Sequence, residues 1–435
     1  MTKNRKLKGR IRERMAKTGE RYAAARAQVL RQGTDGSLPP DGVGIFPGYP
    51  RCGGVQTETS TLRNALFYRG VEHSGTPYSE ALVFGLCGGI GFLYAVFEYQ
   101  GFPPMLTIVG RARSMPDSFL VEGLSRIGVE TTVVETTSPK RAQAALCAAI
   151  EAKKPALCTV DVAALPYYGL PKELLGMGPH TVGVVGQDGD RLWLDDRSAA
   201  PVAVDEEAFA AARAGYRRAK HRLVTLGEPT PDFDLGSAIR AALRFAVDAY
   251  DAPPAKSFAK NVGTAGLEKW SALLAEGKDK KAWARVFDAG PRAYVGLRRI
   301  YDCIQHDYTA PNAGRAMYAD FIDEAAPIAG IEFGNIAKAF RELDRRWAEL
   351  SAIVTDADPA VRAGCELSDR RAELLDGGGD VADEMKALYD ERRSLADKCA
   401  LDPERAADVY RRLSTVVEAI AKEERNALDQ LRTAL

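Results

Sequence analysis

His180-Thr181-Val182-Gly183-Val184-Val185-Gly186-Gln187-Asp188-Gly189-Asp190-Arg191-Leu192-Trp193-Leu194-Asp195-Asp196-Arg197-Ser198 is the stretch that decides how the first half of this chain folds. Apolar runs of strand length flank Asp188-Gly189-Asp190, a turn signal, so the segment is expected to form an antiparallel hairpin. The start of the first strand then lies beside the end of the second, which sets His180 next to Asp195 and Asp196. An imidazole held by a carboxylate is a poised general base, because the carboxylate fixes the tautomer and stabilises the imidazolium.

Upstream of the hairpin, residues 105–109, 131–134 and 156–162 have strand character, and 116–127 and 139–152 read as helices. Residues 59–69 carry helical periodicity (Leu62, Ala65, Leu66) and close at Gly70, a plausible C-terminal cap. A helix first, then mixed elements, then an antiparallel end make an α+β domain over 43–230. Residues 33–54, rich in Gly, Pro and Asp, read as a linker into a loop.

Beyond Asp234 the period-2 pattern disappears. Helices are expected over 235–250, 263–275, 280–287, 290–307, 312–328 and 333–351, which gives an all-α domain over 231–352. Asp358-Pro359 and Asp402-Pro403-Glu404 each offer an N-cap followed by proline at the first helical position. Between them, residues 376–380 interrupt a C-terminal helical hairpin spanning 353–435. The stripe Ala406, Val409, Leu413, Val416, Val417, Ile420 and Leu428 faces packing partners, within the chain or in a homo-oligomer.

Lys+Arg and Asp+Glu stand at 59 each over 435 residues, so the charge balance calls for no nucleic acid and no acidic surface. The basic excess is local: between Lys3 and Arg31 the only acids are Glu13 and Glu20, in an expected basic helical arm over 1–35. Seven scattered cysteines without CxxC spacing point to reduced thiols in the cytoplasm and to no structural zinc. No apolar run reaches membrane-spanning length, and no apolar region follows the basic start as in a secretory signal. His73, His221 and His306 lack i,i+4 partners, and Gly88-Gly89-x-Gly91 lacks the context of a phosphate loop, so neither a metal nor a cofactor is expected.

Gln56-Thr57-Glu58-Thr59-Ser60-Thr61-Leu62 and the run from Ser79-Glu80 through Gly85-Leu86-Cys87-Gly88-Gly89-Ile90-Gly91-Phe92 resemble the butirosin biosynthesis protein H-like family. The resemblance continues at Val160-Asp161-Val162, Leu165-Pro166-Tyr167, His180 and Asp196-Arg197-Ser198. It resumes in the helical half at Gly314-Arg315-Ala316-Met317-Tyr318-Ala319-Asp320-Phe321 and Trp347-Ala348-Glu349-Leu350. The family implies a papain-like fold, and with it acyl transfer from an acyl carrier protein or another activated donor to an amine on a small molecule or peptide. By that resemblance His180 is the base and Asp196, rather than Asp195, its orienter.

The same resemblance puts the nucleophile at Thr57, where relatives usually carry His-Cys and this chain has Gln56-Thr57. The spacing of double-glycine leader peptidases, a papain-like group, also points back from Leu62 and Gly70 to Thr57. Three readings stand open. Thr57 attacks as an alkoxide generated by His180; or His180 deprotonates the acceptor amine for direct aminolysis while Thr57 holds the oxyanion; or chemistry is lost and the protein binds or scaffolds. An amide hydrolase or peptidase using the same residues is the further alternative. Cys52 is the candidate substitute thiol. Gln56, Glu80, Gly88, Gly89, Asp161, Tyr167, Arg315 and Tyr318 are the candidate substrate-binding residues.

Overall fold

The computed structural model describes residues 13–14, 44–98, 103–112 and 119–435. The expected basic arm over 1–35 lies outside the described residues except for 13–14. The described residues pack as two compact units, each drawn from separate stretches: those within 1–83, 116–235 and 371–389 in the first, and those within 84–115, 236–370 and 390–435 in the second. The boundary expected at 230 falls close to the division at 235/236, whereas no division falls at 352 and neither unit is contiguous in sequence. Residues 84–115 pack with the helical unit, and 371–389 pack with the sheet.

Ten strands run among the described residues: β1 (Glu72–His73), β2 (Thr76–Pro77), β3 (Ile90–Phe97), β4 (Met105–Arg111), β5 (Val129–Val134), β6 (Ala156–Asp161), β7 (Pro179–Asp188), β8 (Arg191–Asp195), β9 (Val202–Asp205) and β10 (Leu223–Pro229). Six of them form the antiparallel sheet of the first unit, in the order β5-β10-β6-β7-β8-β9. β7 and β8 are the hairpin read from sequence. Asp188 pairs with Arg191 across a two-residue turn whose first residue, Gly189, sits at φ 60°, where a side chain would be strained.

The period of two then sorts the residues of the hairpin. Val182, Val184, Leu192 and Leu194 join Cys158, Val160, Leu146 and Phe209 in the core on one face. Val185 packs with Phe46 and Tyr49 on the other. Helix α1 (Thr57–Tyr68) packs on this second face, where the Thr61 hydroxyl donates to the Asp195 carbonyl at 3.4 Å. Gly70 follows α1 at φ 72°, as its expected closing residue. This is the expected α+β architecture, a leading helix laid on an antiparallel sheet.

The second unit is mainly helical. Its antiparallel pair β3–β4 contacts helices Gly263–Ala275 and Gly290–Gln305, and stacked Phe92, Tyr94, Trp270 and Trp347 fill its centre. The C-terminal segment holds three α-helices rather than two: Pro359–Gly377, Ala382–Ser394 and Pro403–Ala434. Asp358 and Asp402 cap as expected, accepting from Ala360 N and Arg405 N at 2.8 Å each. Among the described residues, no helix is long and apolar enough to cross a membrane.

Candidate active site

His180 stands near the start of β7, and Asp196 follows the last residue of β8. The ladder pairs Gly183 with Asp195, so alternation gives Asp195 the Gly183 face and Asp196 the parity of Val182 and His180. That is the physical reason the second of two adjacent carboxylates, not the first, meets the imidazole. His180 Nε2 lies 2.9 and 3.0 Å from the Asp196 carboxylate oxygens, and His180 Nδ1 makes no hydrogen bond among the described residues. The carboxylate is 1% exposed and the imidazole 13% exposed, so the ion is dry while the ring reaches the surface.

Two tyrosines complete this cluster. The hydroxyls of Tyr167 and Tyr168 donate to Asp196 Oδ2 at 2.7 and 3.2 Å, and the Tyr168 oxygen is also 3.0 Å from His180 Nε2. The Tyr168 ring meets the imidazole edge-on with centroids 5.2 Å apart. Burial pushes the Asp196 carboxyl up, but the charge and hydrogen bond of His180, the Tyr167 hydroxyl and the Arg197 guanidinium outweigh it and hold it below the usual carboxylate range. Asp196 is thus kept anionic to stabilise an imidazolium. Burial and the neighbouring anion drive the Tyr167 phenol well above its ordinary value, so it stays a donor.

Asp195 belongs to a separate set. Tyr49 Oη donates to Asp195 Oδ2 at 2.6 Å and Asn64 Nδ2 donates at 3.0 Å. Burial pushes this carboxyl up to about 6, against the hydrogen bonds from Tyr49 and Asn64. The fold therefore favours the protonated form, and stability present below about pH 4 is lost as pH rises through about 6, a cost of about 3 kcal/mol. Asp195→Asn is expected to raise the urea midpoint at pH 8 and leave it nearly unchanged at pH 4. Equal shifts at the two pH values would contradict this.

Thr57 opens α1 directly after its cap. Gln56 Oε1 accepts from Thr59 N at 2.7 Å, and Gln56 Nε2 donates to Glu58 Oε2 at 2.9 Å. Glu80 accepts from Val55 N at 2.9 Å and from Gln56 N at 2.8 Å, fixing the entry to the helix. Gln56 and Glu80, expected at a substrate, are instead the residues that shape the Thr57 turn. Thr57 is half-buried, and neither its hydroxyl nor its N–H makes a hydrogen bond among the described residues. One hydrogen bond and one shared cavity relate the residues around this turn to the neighbours of the dyad. Gly54 N donates to the Arg197 carbonyl at 3.0 Å. Glu58 and Thr181, the residues after Thr57 and His180, line one small cavity with Thr159 and Arg222.

Several expected substrate residues have other work. Tyr167 is buried and spends its hydroxyl on Asp196. Asp161 is fully buried and accepts from Ala163 N at 3.2 Å and Gly176 N at 2.6 Å, closing a turn. Arg315, Tyr318, Gly88 and Gly89 lie in the second unit. Arg315 is fully buried against Glu424 and the carbonyls of Gly110, Ala313 and Gly91, so it is no residue closing over a cleft. The Tyr318 ring is fully buried against the Cα of Gly89, and Phe245 covers Gly88. Cys52 is exposed, and its carbonyl accepts from Asn64 Nδ2 at 3.0 Å; Cys87 is buried. Among the described residues, no group of three or more His, Cys, Asp or Glu could hold a metal ion. Tyr168, Tyr49 and Asn64 carry roles here that no sequence motif marks. Tyr168 follows directly on Leu165-Pro166-Tyr167, whereas nothing local marks Tyr49.

The family described as butirosin biosynthesis protein H, N-terminal, matches residues 56–197, and a domain of unknown function (DUF4872) matches residues 207–376. No curated protein matches the chain. Among solved structures, a C39-like peptidase from Bacillus anthracis is similar over 44% of this chain and 100% of its own, at 12% identity and a TM-score of 0.29.

Proposed function

The chain belongs to the butirosin biosynthesis protein H-like family, and from that premise we propose that it is an acyltransferase of specialised metabolism. The donor is an acyl thioester on a carrier protein or another activated acyl group, and the acceptor is an amine of a small molecule or peptide. The observation that carries this reading is the His180–Asp196 pair, in which Nε2 is taken by the carboxylate and Nδ1 is left to accept a proton.

In the step we favour, the amine nitrogen attacks the thioester carbonyl and Nδ1 of His180 takes the amine proton. The tetrahedral intermediate collapses with cleavage of the carbon–sulfur bond, and the imidazolium returns the proton to the departing thiolate. Asp196 stabilises the imidazolium throughout. The Thr57 hydroxyl and N–H hold the oxyanion at the tip of α1. What supports direct transfer over a covalent route is that the Thr57 hydroxyl makes no hydrogen bond with His180 among the described residues. A thioester is already activated, so proximity and a base suffice.

Intact-protein mass spectrometry after addition of an acyl thioester tests the route. The native protein is expected to show no acyl adduct, and Thr57→Ala to lose about 10²–10³ in rate as an oxyanion donor is removed. Thr57→Cys is expected to accumulate an adduct on the introduced thiol. An adduct on Thr57 in the native protein would replace direct transfer with the covalent route. A second reading, binding without turnover, is favoured by the hydroxyl that Thr57 places at the helix tip, a far weaker nucleophile than a thiolate. A native protein that forms neither amide nor free acid, yet binds a carrier protein as tightly as His180→Ala does, would select it. Free acid without amide would select the hydrolase.

A further inference from the structure

Segment 371–389 belongs to the first unit although it lies far along the chain from the hairpin, and its contacts reach the turn that follows Asp196 and the turn that carries Tyr168. Arg197, the residue after Asp196, is buried in left-handed backbone at φ 50°, a conformation a non-glycine residue holds only when its surroundings enforce it. Its guanidinium donates through Nε and Nη2 to Asp376 Oδ1 at 3.3 and 3.2 Å, with the side chains 10% and 3% exposed. Ala199 N donates to the Asp376 carbonyl at 3.3 Å. Arg371 Nη2 donates to the Tyr168 carbonyl at 2.8 Å, and its Nη1 donates to the Met385 carbonyl. The Arg197 carbonyl in turn accepts Gly54 N, at the approach to Thr57.

We infer that Arg197 and Asp376 are positioning residues for the His180–Asp196 dyad: the buried ion pair holds the turn that aims the Asp196 carboxylate at His180 Nε2. The inference rests on the acyl-transfer reading for its consequence in rate but not for its geometry. A buried ion pair need add little to stability, but it specifies one arrangement, and losing one partner leaves the other charge buried. Here the arrangement specified is the backbone adjoining a carboxylate whose direction fixes the imidazole tautomer. Arg371 acts in the same sense through its hydrogen bond to the turn that carries Tyr168.

The test follows the His180 ring by NMR titration in full-length native protein, Asp376→Ala and Arg197→Lys, with Asp205→Asn as control. Asp205 pairs with Arg191 at 3.4 Å on the surface of the same unit, both being more than 60% exposed. Both test variants are expected to move the His180 midpoint by about 0.5 pH unit or more and the control to leave it in place. In an Asp196→Asn background the shift caused by Asp376→Ala should vanish. Amide formation should show a fall in kcat of about tenfold with KM held. If Asp376→Ala does not fold, Arg197→Lys, which keeps the charge and loses the fork, decides alone. An unchanged His180 titration in a folded variant overturns the inference. Absence of turnover in the native protein overturns the acyl-transfer reading and leaves the NMR arm intact.

Discussion

Replacing His180 with alanine is expected to cut amide formation from an acyl thioester by about 10²–10⁴-fold, the share a positioned base contributes. The acceptor amine keeps its nucleophilicity and the carbonyl its activation, but no group within the cluster replaces Nδ1, because the Tyr167 phenol is held as a donor to Asp196. The fold should survive. His180 lies near a strand end, and Asp196 keeps the hydroxyls of Tyr167 and Tyr168 after the imidazole is gone. The expected loss of stability is about 1–3 kcal/mol, the cost of one unmade bond to a buried charge. Asp196→Asn should lower the rate similarly through the wrong tautomer, while preserving the volume of the cluster. The check is a pair of measurements, amide release by mass spectrometry and urea denaturation. A His180→Ala protein within threefold of native rate would refute the assignment of the base.

The second large effect concerns stability. Arg315 and Glu424 are each fully buried, and Arg315 also satisfies the carbonyls of Gly110, Ala313 and Gly91 while its guanidinium lies over Trp347 at 5.2 Å. Tyr250 Oη and Trp347 Nε1 complete the shell of Glu424 at 3.0 and 3.2 Å. Arg315→Ala strands that carboxylate in an apolar interior and is expected to cost about 3–5 kcal/mol. Combining Arg315→Met with Glu424→Gln should cost markedly less, because the stranded charge is removed and the volume is kept. Denaturation of the single and double variants measures the difference. A double variant as unstable as Arg315→Ala would show that packing alone accounts for the loss.

The periodic parts of the fold were open to reading from residues alone. The hairpin, the helix closing at Gly70 and helices Leu235–Tyr250 and Gly263–Ala275 follow from turn chemistry and an amphipathic stripe, which are local properties. β3 was missed because Gly91 and the glycines before it break the pattern, and its pairing with β4 comes from distant residues. The units were missed for a related reason: that residues 84–115 pack with the helices is decided by tertiary contacts no local signal carries. At the site, the hairpin register delivered the neighbourhood of His180 and Asp196 without delivering its tyrosines. Arg315 and Tyr318 looked functional because polar side chains in a motif invite that reading, and burial assigns them to packing instead. Asp376 lies 179 residues from Arg197, beyond any spacing argument.

The most direct test of the base is nitrogen-15 NMR of the imidazole rings, which number four, with His180 assigned by its loss in His180→Ala. At a pH above its titration, His180 is expected to carry its proton on Nε2, facing Asp196, with Nδ1 bare, and to lose that preference in Asp196→Asn. A neutral ring protonated mainly on Nδ1, or a tautomer balance indifferent to Asp196→Asn, would contradict the assignment of His180 as a base held by Asp196.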